Sequence, residues 1–209
     1  MNEEYPVQYS IDYPDRPLNR LTTFFRLFTV IPILIVLELI LGYSWDWTYD
    51  GETTRYVAGG AGFLFFPPLL LILFRKKYPR WWFDWNLELI RFANRVWLYF
   101  SLMDDHYPST DERQSLRLDY PYPNAETELG RGMPLVKWLL AIPHYIVLIF
   151  LHIAVFFAVV ISWFAILFTT RYPRGLFDFV QGVYRWFNRV NAYAFLLVTD
   201  KYPPFRLDP

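Results

Sequence analysis

The chain reads as an all-α membrane protein with four transmembrane helices arranged as two hairpins, each followed by an amphipathic interfacial helix, with short extended segments between. Three observations predict this class. Of 209 residues, 55% are hydrophobic and 22% aromatic, which is too apolar for an ordinary soluble domain of this length. Long apolar runs sit on both sides of a polar middle. And the stretch from Tyr78 to Leu102 recurs ninety-four positions later, from Tyr172 to Leu196, keeping Tyr, Pro, Arg, Phe, Asp, Arg, Asn, Arg, Val, Tyr and Leu in register. An internal repeat on that scale sets an architecture before any single motif does.

Composition also removes function classes. The formal net charge is zero, so no long-range pull toward nucleic acid is expected. The chain has no cysteine, which removes disulfides, thiolate catalysis and cysteine-held metal or iron–sulfur sites. The start, MNEEYPVQYSIDYPDRP, is polar and acidic and lacks a basic region followed by an apolar core. Insertion is therefore expected to rest on internal segments. Nine Trp and sixteen Tyr suit the boundary between lipid tails and water.

Taken in order, Val7 to Tyr13 alternates apolar and polar residues and predicts a short strand, which Pro14 and Pro17 stop. Ser115 to Pro121 offers a counterpart, aligning Tyr13-Pro14 with Tyr120-Pro121, and the C-terminal Arg206-Leu207-Asp208 ends in the same way. These pieces are expected to pair with one another or to lie against the membrane-facing parts. Leu21 to Tyr43 is the first apolar stretch, holding Arg26, Pro32 and Glu38, and is long enough to cross roughly 30 Å of hydrocarbon. A polar loop, Ser44 to Tyr56, follows. Val57 to Phe74 is the second apolar run and ends in Arg75-Lys76-Lys77. Basic residues before the first run and after the second place both ends of this hairpin in the cytoplasm.

The repeated element predicts an amphipathic helix in which Asp84, Arg91 and Arg95, and again Asp178, Arg185 and Arg189, fall in one narrow stripe. Tyr-Pro opens each copy and another Tyr-Pro follows it, as helix starts and stops do. Residues 109–132 form a polar linker between a first repeat, 1–108, and a second, 133–209. Leu135 to Phe168 is apolar almost throughout, with Lys137 and Pro143 matching Arg26 and Pro32. One straight helix of that length would be about 51 Å, so a tight hairpin near His152 is expected.

The run WFAILFTTRYPRGLFDF from Trp163 to Phe179, followed by Arg185-Trp186, Arg189-Val190, Ala192-Tyr193 and DKYPPF at Asp200 to Phe205, resembles a bacterial membrane-protein family catalogued only as a domain of unknown function. The likeness covers most of the second half and, in diverged form, the first, where Trp81-Trp82 replaces Gly175-Leu176. It implies a small bacterial integral membrane protein and carries no activity.

Candidate chemistry is sparse. His144 and His152 lie eight apart in an apolar run, a spacing that turns a helix well away from one shared face. With no further ligand cluster in view, they read as structural rather than as haem or metal ligands. Glu38 is an ionisable group in an apolar segment, but it lies close to Gly42 and within reach of the interface. The most distinctive polar set is Asp84, Arg91, Asn94 and Arg95 with Asp178, Arg185, Asn188 and Arg189. Paired guanidinium groups there suit either a lipid phosphate or contacts that fix the two repeats together, and the duplication weighs toward the second. No phosphate loop, His-Glu-x-x-His or Gly-x-Ser-x-Gly occurs. The sequence thus predicts a non-enzymatic accessory or scaffold subunit of the bacterial inner membrane, multi-pass with both termini cytoplasmic, with no cofactor. Its partners are membrane lipids and another integral membrane protein or complex. The alternative is phospholipid binding or membrane shaping.

Overall fold

The computed structural model describes residues 5–41, 43–49, 52–58, 65–112 and 114–209, and of 43–49 and 52–58 it describes the backbone alone. In chain order the elements are β1 (Gln8–Ile11), α1 (Arg20–Phe24), α2 (Arg26–Thr29), α3 (Ile31–Leu41), β2 (Tyr43–Tyr49), β3 (Glu52–Ala58), α4 (Phe66–Arg75), α5 (Arg80–Phe100), β4 (Leu116–Asp119), α6 (Met133–Leu140), α7 (Ile142–Thr169) and α8 (Arg174–Ala194).

Four transmembrane helices in two hairpins are not what forms. Among the described residues one helix, α7, is long and apolar enough to cross a membrane. The first apolar stretch is divided instead of continuous. Pro32 lacks an N–H and crowds the carbonyl four residues back, and the chain steps through Phe25 and Val30 as it passes from α1 to α2 to α3. The eleven residues of α3 reach only about 16 Å. The expected loop between the first two spans is a hairpin of β2 on β3. The second run keeps only the ten-residue α4 as helix, and its residues 59–64 lie outside those described.

In the second half the expected reversal near His152 is also absent. Nothing between His144 and Phe168 breaks a helix, since neither Gly nor Pro occurs there. The chain bends earlier, at Ala141, where Pro143 in the first turn of α7 cannot donate back. The twenty-eight residues of α7 then run unbroken for about 42 Å. It ends where Thr170 adopts φ 62°, as α4 ends where Lys76 adopts φ 50°, each just ahead of a Tyr-Pro.

The two repeated helices, α5 and α8, have twenty-one residues each and start at extended prolines, Pro79 and Pro173. They were expected at the membrane interface, but they form the centre of the molecule. On α8, Phe177, Val180, Val183, Tyr184, Trp186 and Val190 are all buried. One side of α8 takes α7 in antiparallel contact: Tyr145 meets Phe195, and His152 meets Tyr184 and Phe187. α5 packs on α3, where Phe92, Val96 and Tyr99 close over Val30, Ile33 and Leu37. The two strands expected in the extended pieces pair with each other. β1 and β4 are antiparallel and centred on Tyr9 opposite Leu118.

The contacts cross over. β1 docks on the later helix, where Arg185 Nε donates to Tyr9 O at 3.0 Å; β4 docks on the earlier one, where Arg91 Nε donates to Leu118 O at 2.9 Å. The Tyr13 hydroxyl donates to Tyr172 O and the Tyr122 hydroxyl to Tyr78 O, so the structural counterpart of Tyr13 is Tyr122 rather than Tyr120. Each tyrosine ring stands edge-on to the first-turn phenylalanine, Phe177 or Phe83, under an arginine, Arg174 or Arg80.

Gly182 sits where the C-terminal segment crosses α8. A Cβ there would stand 2.9 Å from Leu207 Cβ and 3.2 Å from Leu207 O, and backbone cannot yield as a flexible side chain can. Gly182→Ala is expected to lift residues 204–209 off the helix and to destabilise the fold by about 1–3 kcal/mol. Hydrogen exchange of the tail together with thermal unfolding checks it; unchanged protection at Arg206 and Leu207 would contradict it.

Candidate functional site

The conserved spacing of the repeat brings Asn94 and Asn188 face to face. Asn94 Nδ2 donates to Asn188 Oδ1 at 3.0 Å and Asn188 Nδ2 returns a bond to Asn94 Oδ1 at 2.8 Å. Each amide also donates one turn back, to Ile90 O and Tyr184 O, and the Tyr120 hydroxyl donates to Asn188 Oδ1. Asn188 is fully buried, and its amide finds partners for both of its polar atoms, as burial requires.

The arginines lie beside this pair and spend most of their donors on main chain. Arg185 bonds Tyr9 O and Leu207 O, the latter at 2.7 Å, and Arg189 bonds Asp208 O at 3.0 Å and Arg206 O. On the other helix Arg91 bonds Leu118 O, Glu88 and Asp119, and Arg95 bonds Glu112 O and Thr110 O. Burial, together with the neighbouring Arg185 and Arg206 cations, pushes Arg189 down to about 10, and burial lowers Arg185 and Arg95 too. A cleft of about 630 Å³ opens beside Arg91 and Arg95. Around it Arg91, Arg95 and Arg117 are matched by Glu88, Asp111 and Asp119, so its charges balance.

Asp84 and Asp178 stand apart from the set they were grouped with. Each pairs with the arginine one turn back, Arg80 at 3.0 Å and Arg174 at 3.4 Å, at the exposed start of its helix. The stripe on the helical wheel was right about angle and silent about height: Asp84 is two turns from Arg91, at the end of the helix the strands do not reach.

Sequence reading missed a third kind of joint. Arg26 Nη1 donates to Asp104 O at 3.0 Å with its guanidinium over the Tyr99 ring; Lys137 Nζ donates to Thr199 O at 2.7 Å and lies over Tyr193, with Asp200 Oδ1 at 2.6 Å. Both cations are buried. The signal was present, since Arg26 and Lys137 each precede a proline by six residues and Tyr99 and Tyr193 occupy the same repeat position. The match between the two positions was legible, but the carbonyls they meet, Asp104 O and Thr199 O, were not.

Asp104, Asp105 and His106 place ligand atoms within 4.8 Å of one another, a spacing a metal ion could use. The positive charge there is supplied by Arg16, which bonds Asp105 and approaches the His106 ring. Burial raises the Asp104 carboxyl, but the His106 N–H, the Ser115 hydroxyl and the His106 ring outweigh it and hold it below the usual range. The two membrane-run histidines do not converge. His144 is buried, accepts from Trp186 Nε1 at its Nδ1 and stacks on Phe205 at 4.0 Å; His152 donates from Nδ1 to Leu148 O and borders an apolar groove of about 600 Å³ with Phe156 and Phe187. Glu38 is exposed on α3.

These arrangements define a helical protein whose polar clusters join segments of its own chain and whose apolar surface is wide. Residues 133–206, which cover α6, α7, α8 and most of the tail, match the model of a family described as a domain of unknown function (DUF4389). Neither a curated protein nor a solved structure matches the chain.

Two outcomes follow from this geometry. Asn188→Ala leaves Asn94 Oδ1 and the Tyr120 hydroxyl buried without a partner and is expected to cost about 1–3 kcal/mol, whereas Asp84→Ala, at an exposed i,i+4 pair, is expected to cost less than about 1 kcal/mol. Chemical denaturation of each variant decides, and the Asn94→Ala/Asn188→Ala double variant should cost less than the sum of the singles. The second concerns acid. A carboxyl held below its unfolded value of about 3.9 contributes stability that is complete above that value and is lost as pH falls through the lower folded one. The wild type should therefore lose stability below about pH 4 more steeply than Asp104→Asn, as followed by tryptophan fluorescence.

Proposed function

We propose that this is a non-catalytic accessory or scaffold subunit held at the bacterial cytoplasmic membrane, which binds and positions another membrane protein or complex. The observation that carries the reading is a division of labour among side chains. The arginines, the buried lysine and the asparagine pair are engaged with the chain's own carbonyls and carboxylates, which is how a rigid joint is built. Meanwhile Leu27, Phe28, Ile35, Phe74, Phe150 and Phe168, among many others on α1–α4, α6 and α7, stay exposed. Apolar patches of that extent mark contact with lipid or with another protein.

The same reading treats the first half as a diverged second copy of the unit that the family model covers. Supporting it are the corresponding joints at Arg26 and Lys137, at Tyr13 and Tyr122, and at Arg91 and Arg185. Phospholipid binding is the second reading, favoured by exposed basic residues beside the apolar helices: Arg75 and Lys77 at the end of α4, and Arg171 and Arg174 after α7.

Native mass spectrometry of the protein, extracted from its own membranes in a mild detergent, separates the two. A protein partner at fixed stoichiometry is the expected result. A particle carrying stoichiometric phospholipid and no second chain would overturn the scaffold reading in favour of lipid binding.

A further inference from the structure

α7, the one helix among the described residues that could cross a bilayer, is not free to do so alone. α8 lies along α7, antiparallel to it, and the far side of α8 is covered from end to end by the N-terminal extended segment. That segment can be followed bond by bond. The Tyr5 hydroxyl donates to Lys201 O beyond the C-terminal end of α8, Tyr9 O takes the middle at Arg185, the Tyr13 hydroxyl reaches Tyr172 O at the N-terminal end, and Leu18 N donates to Thr170 O at 2.8 Å where α7 stops. It therefore runs the whole of α8, about 31 Å, which is the thickness of a hydrocarbon core. Along the way it exposes Gln8, Ser10, Asp12, Asp15 and Arg16, and only β1 has a strand beside it.

Were α7 to stand along the membrane normal, this open, charged, extended chain would stand along it too, through the full depth of the lipid. Irregular backbone facing lipid leaves N–H and C=O groups without partners at several kcal/mol each. We infer that α7 does not cross: it lies in the plane of the membrane with its outer face sunk into a single leaflet. This rests on the membrane-held reading above and says how the protein is held.

The faces of α7 fit that placement. His144, Leu148, Val155, Ala158, Ser162 and Ile166 form one buried stripe. Ile146, Phe150, Ile153, Phe157, Ile161 and Phe168 form the opposite one, every member exposed. The occupant of that face is a lipid leaflet rather than a protein groove, because exposed basic side chains stand where the apolar helices α7 and α4 finish. Arg20, whose guanidinium donates to Phe168 O, stands with exposed Arg171 and Arg174 where α7 finishes, and exposed Arg75 and Lys77 stand where α4 finishes. Side chains of that kind at the level of the headgroups bind anionic phosphates.

The absence of native cysteine makes the test direct. Gly132 lies ahead of α6, two residues beyond Gly130, whose N–H bonds Asp200 past the end of α8, and Gly175 lies in the first turn of α8; a Cβ added at either meets nothing within 4 Å. They flank α7 at its two ends. Gly132→Cys and Gly175→Cys, each in the full chain, are treated with a membrane-impermeant maleimide in sealed vesicles of right-side-out and of inverted orientation. The expected result is that both cysteines label in one orientation and both lose labelling in the other. Labelling of one from each orientation would overturn the in-plane placement while leaving membrane attachment intact. Equal labelling in a fraction that does not sediment with the vesicles would overturn both.

Discussion

An extended chain laid on a helix has a main chain that the helix cannot satisfy, since the helix's own N–H and C=O groups are already paired with one another. Here that constraint falls on the N-terminal segment, on the residues around β4 and on the tail, which together cover α5 and α8. Of these segments only β1 and β4 meet as strands. Elsewhere the carbonyls are met by side chains reaching out from the helices: Arg185 to Tyr9 and Leu207, Arg189 to Asp208, Arg91 to Leu118, Arg95 to Thr110. A guanidinium suits the task because its planar fork offers several donors at once and keeps its charge when partly buried. Without these arginines the segments would be held by tyrosine and leucine contacts alone, and the carbonyls beneath them would be buried unpaired.

The crossing of the segments gives the joint its reach. Because β1 serves the later helix and β4 the earlier one, neither half of the chain completes its own layer. The Asn94–Asn188 amide pair then links the two helices at a point where loss of Asn188 would leave Asn94 Oδ1 in the core without a partner. Such a pair tolerates little sliding, since a shift of one residue on either helix would break both bonds at once. This is a structural argument for why the repeat keeps its asparagine and the two arginines beside it.

Much of this was legible in the sequence, and the rest was hidden for identifiable reasons. The repeat, both central helices, the strands flanking Tyr9 and Leu118 and the polar set on α5 and α8 were all visible as patterns of residue type. What pattern could not give was the partner. Hydropathy read Leu21 to Tyr43 as one span because it averages over a window, whereas the local cost of Pro32 ends a helix whatever the average. It read Leu135 to Phe168 as two spans because a straight helix seemed too long; a bend at Ala141 shortens α7 without reversing it. The helical wheel put Asp84 with Arg91 because angle is periodic and height is not. And the arginine stripe suggested an interface because sequence shows the charge of a side chain and not the carbonyl it meets.

The same logic bears on the interruption in the first half. On the duplication reading α3 and α4 stand for the first and last turns of α7: Pro32 and Pro143 occupy the same place near the start, and Lys76 and Thr170 the same left-handed place at the end. The β2–β3 hairpin then enters where α7 is continuous. A helix packed on all sides would not accept such an insertion, because each new residue displaces a neighbour from a close-packed core. A helix with one face turned to a fluid does, since lipid chains rearrange at small cost and the buried face can be kept by the two remaining pieces. Ile33 and Leu37 of α3 and Leu69 and Ile72 of α4 are the residues that stay buried, while Ile35, Leu39, Leu70 and Phe74 are exposed. The insertion therefore leaves the inner stripe in place on both sides of the break, which is the outcome expected if the outer stripe faces lipid in both halves.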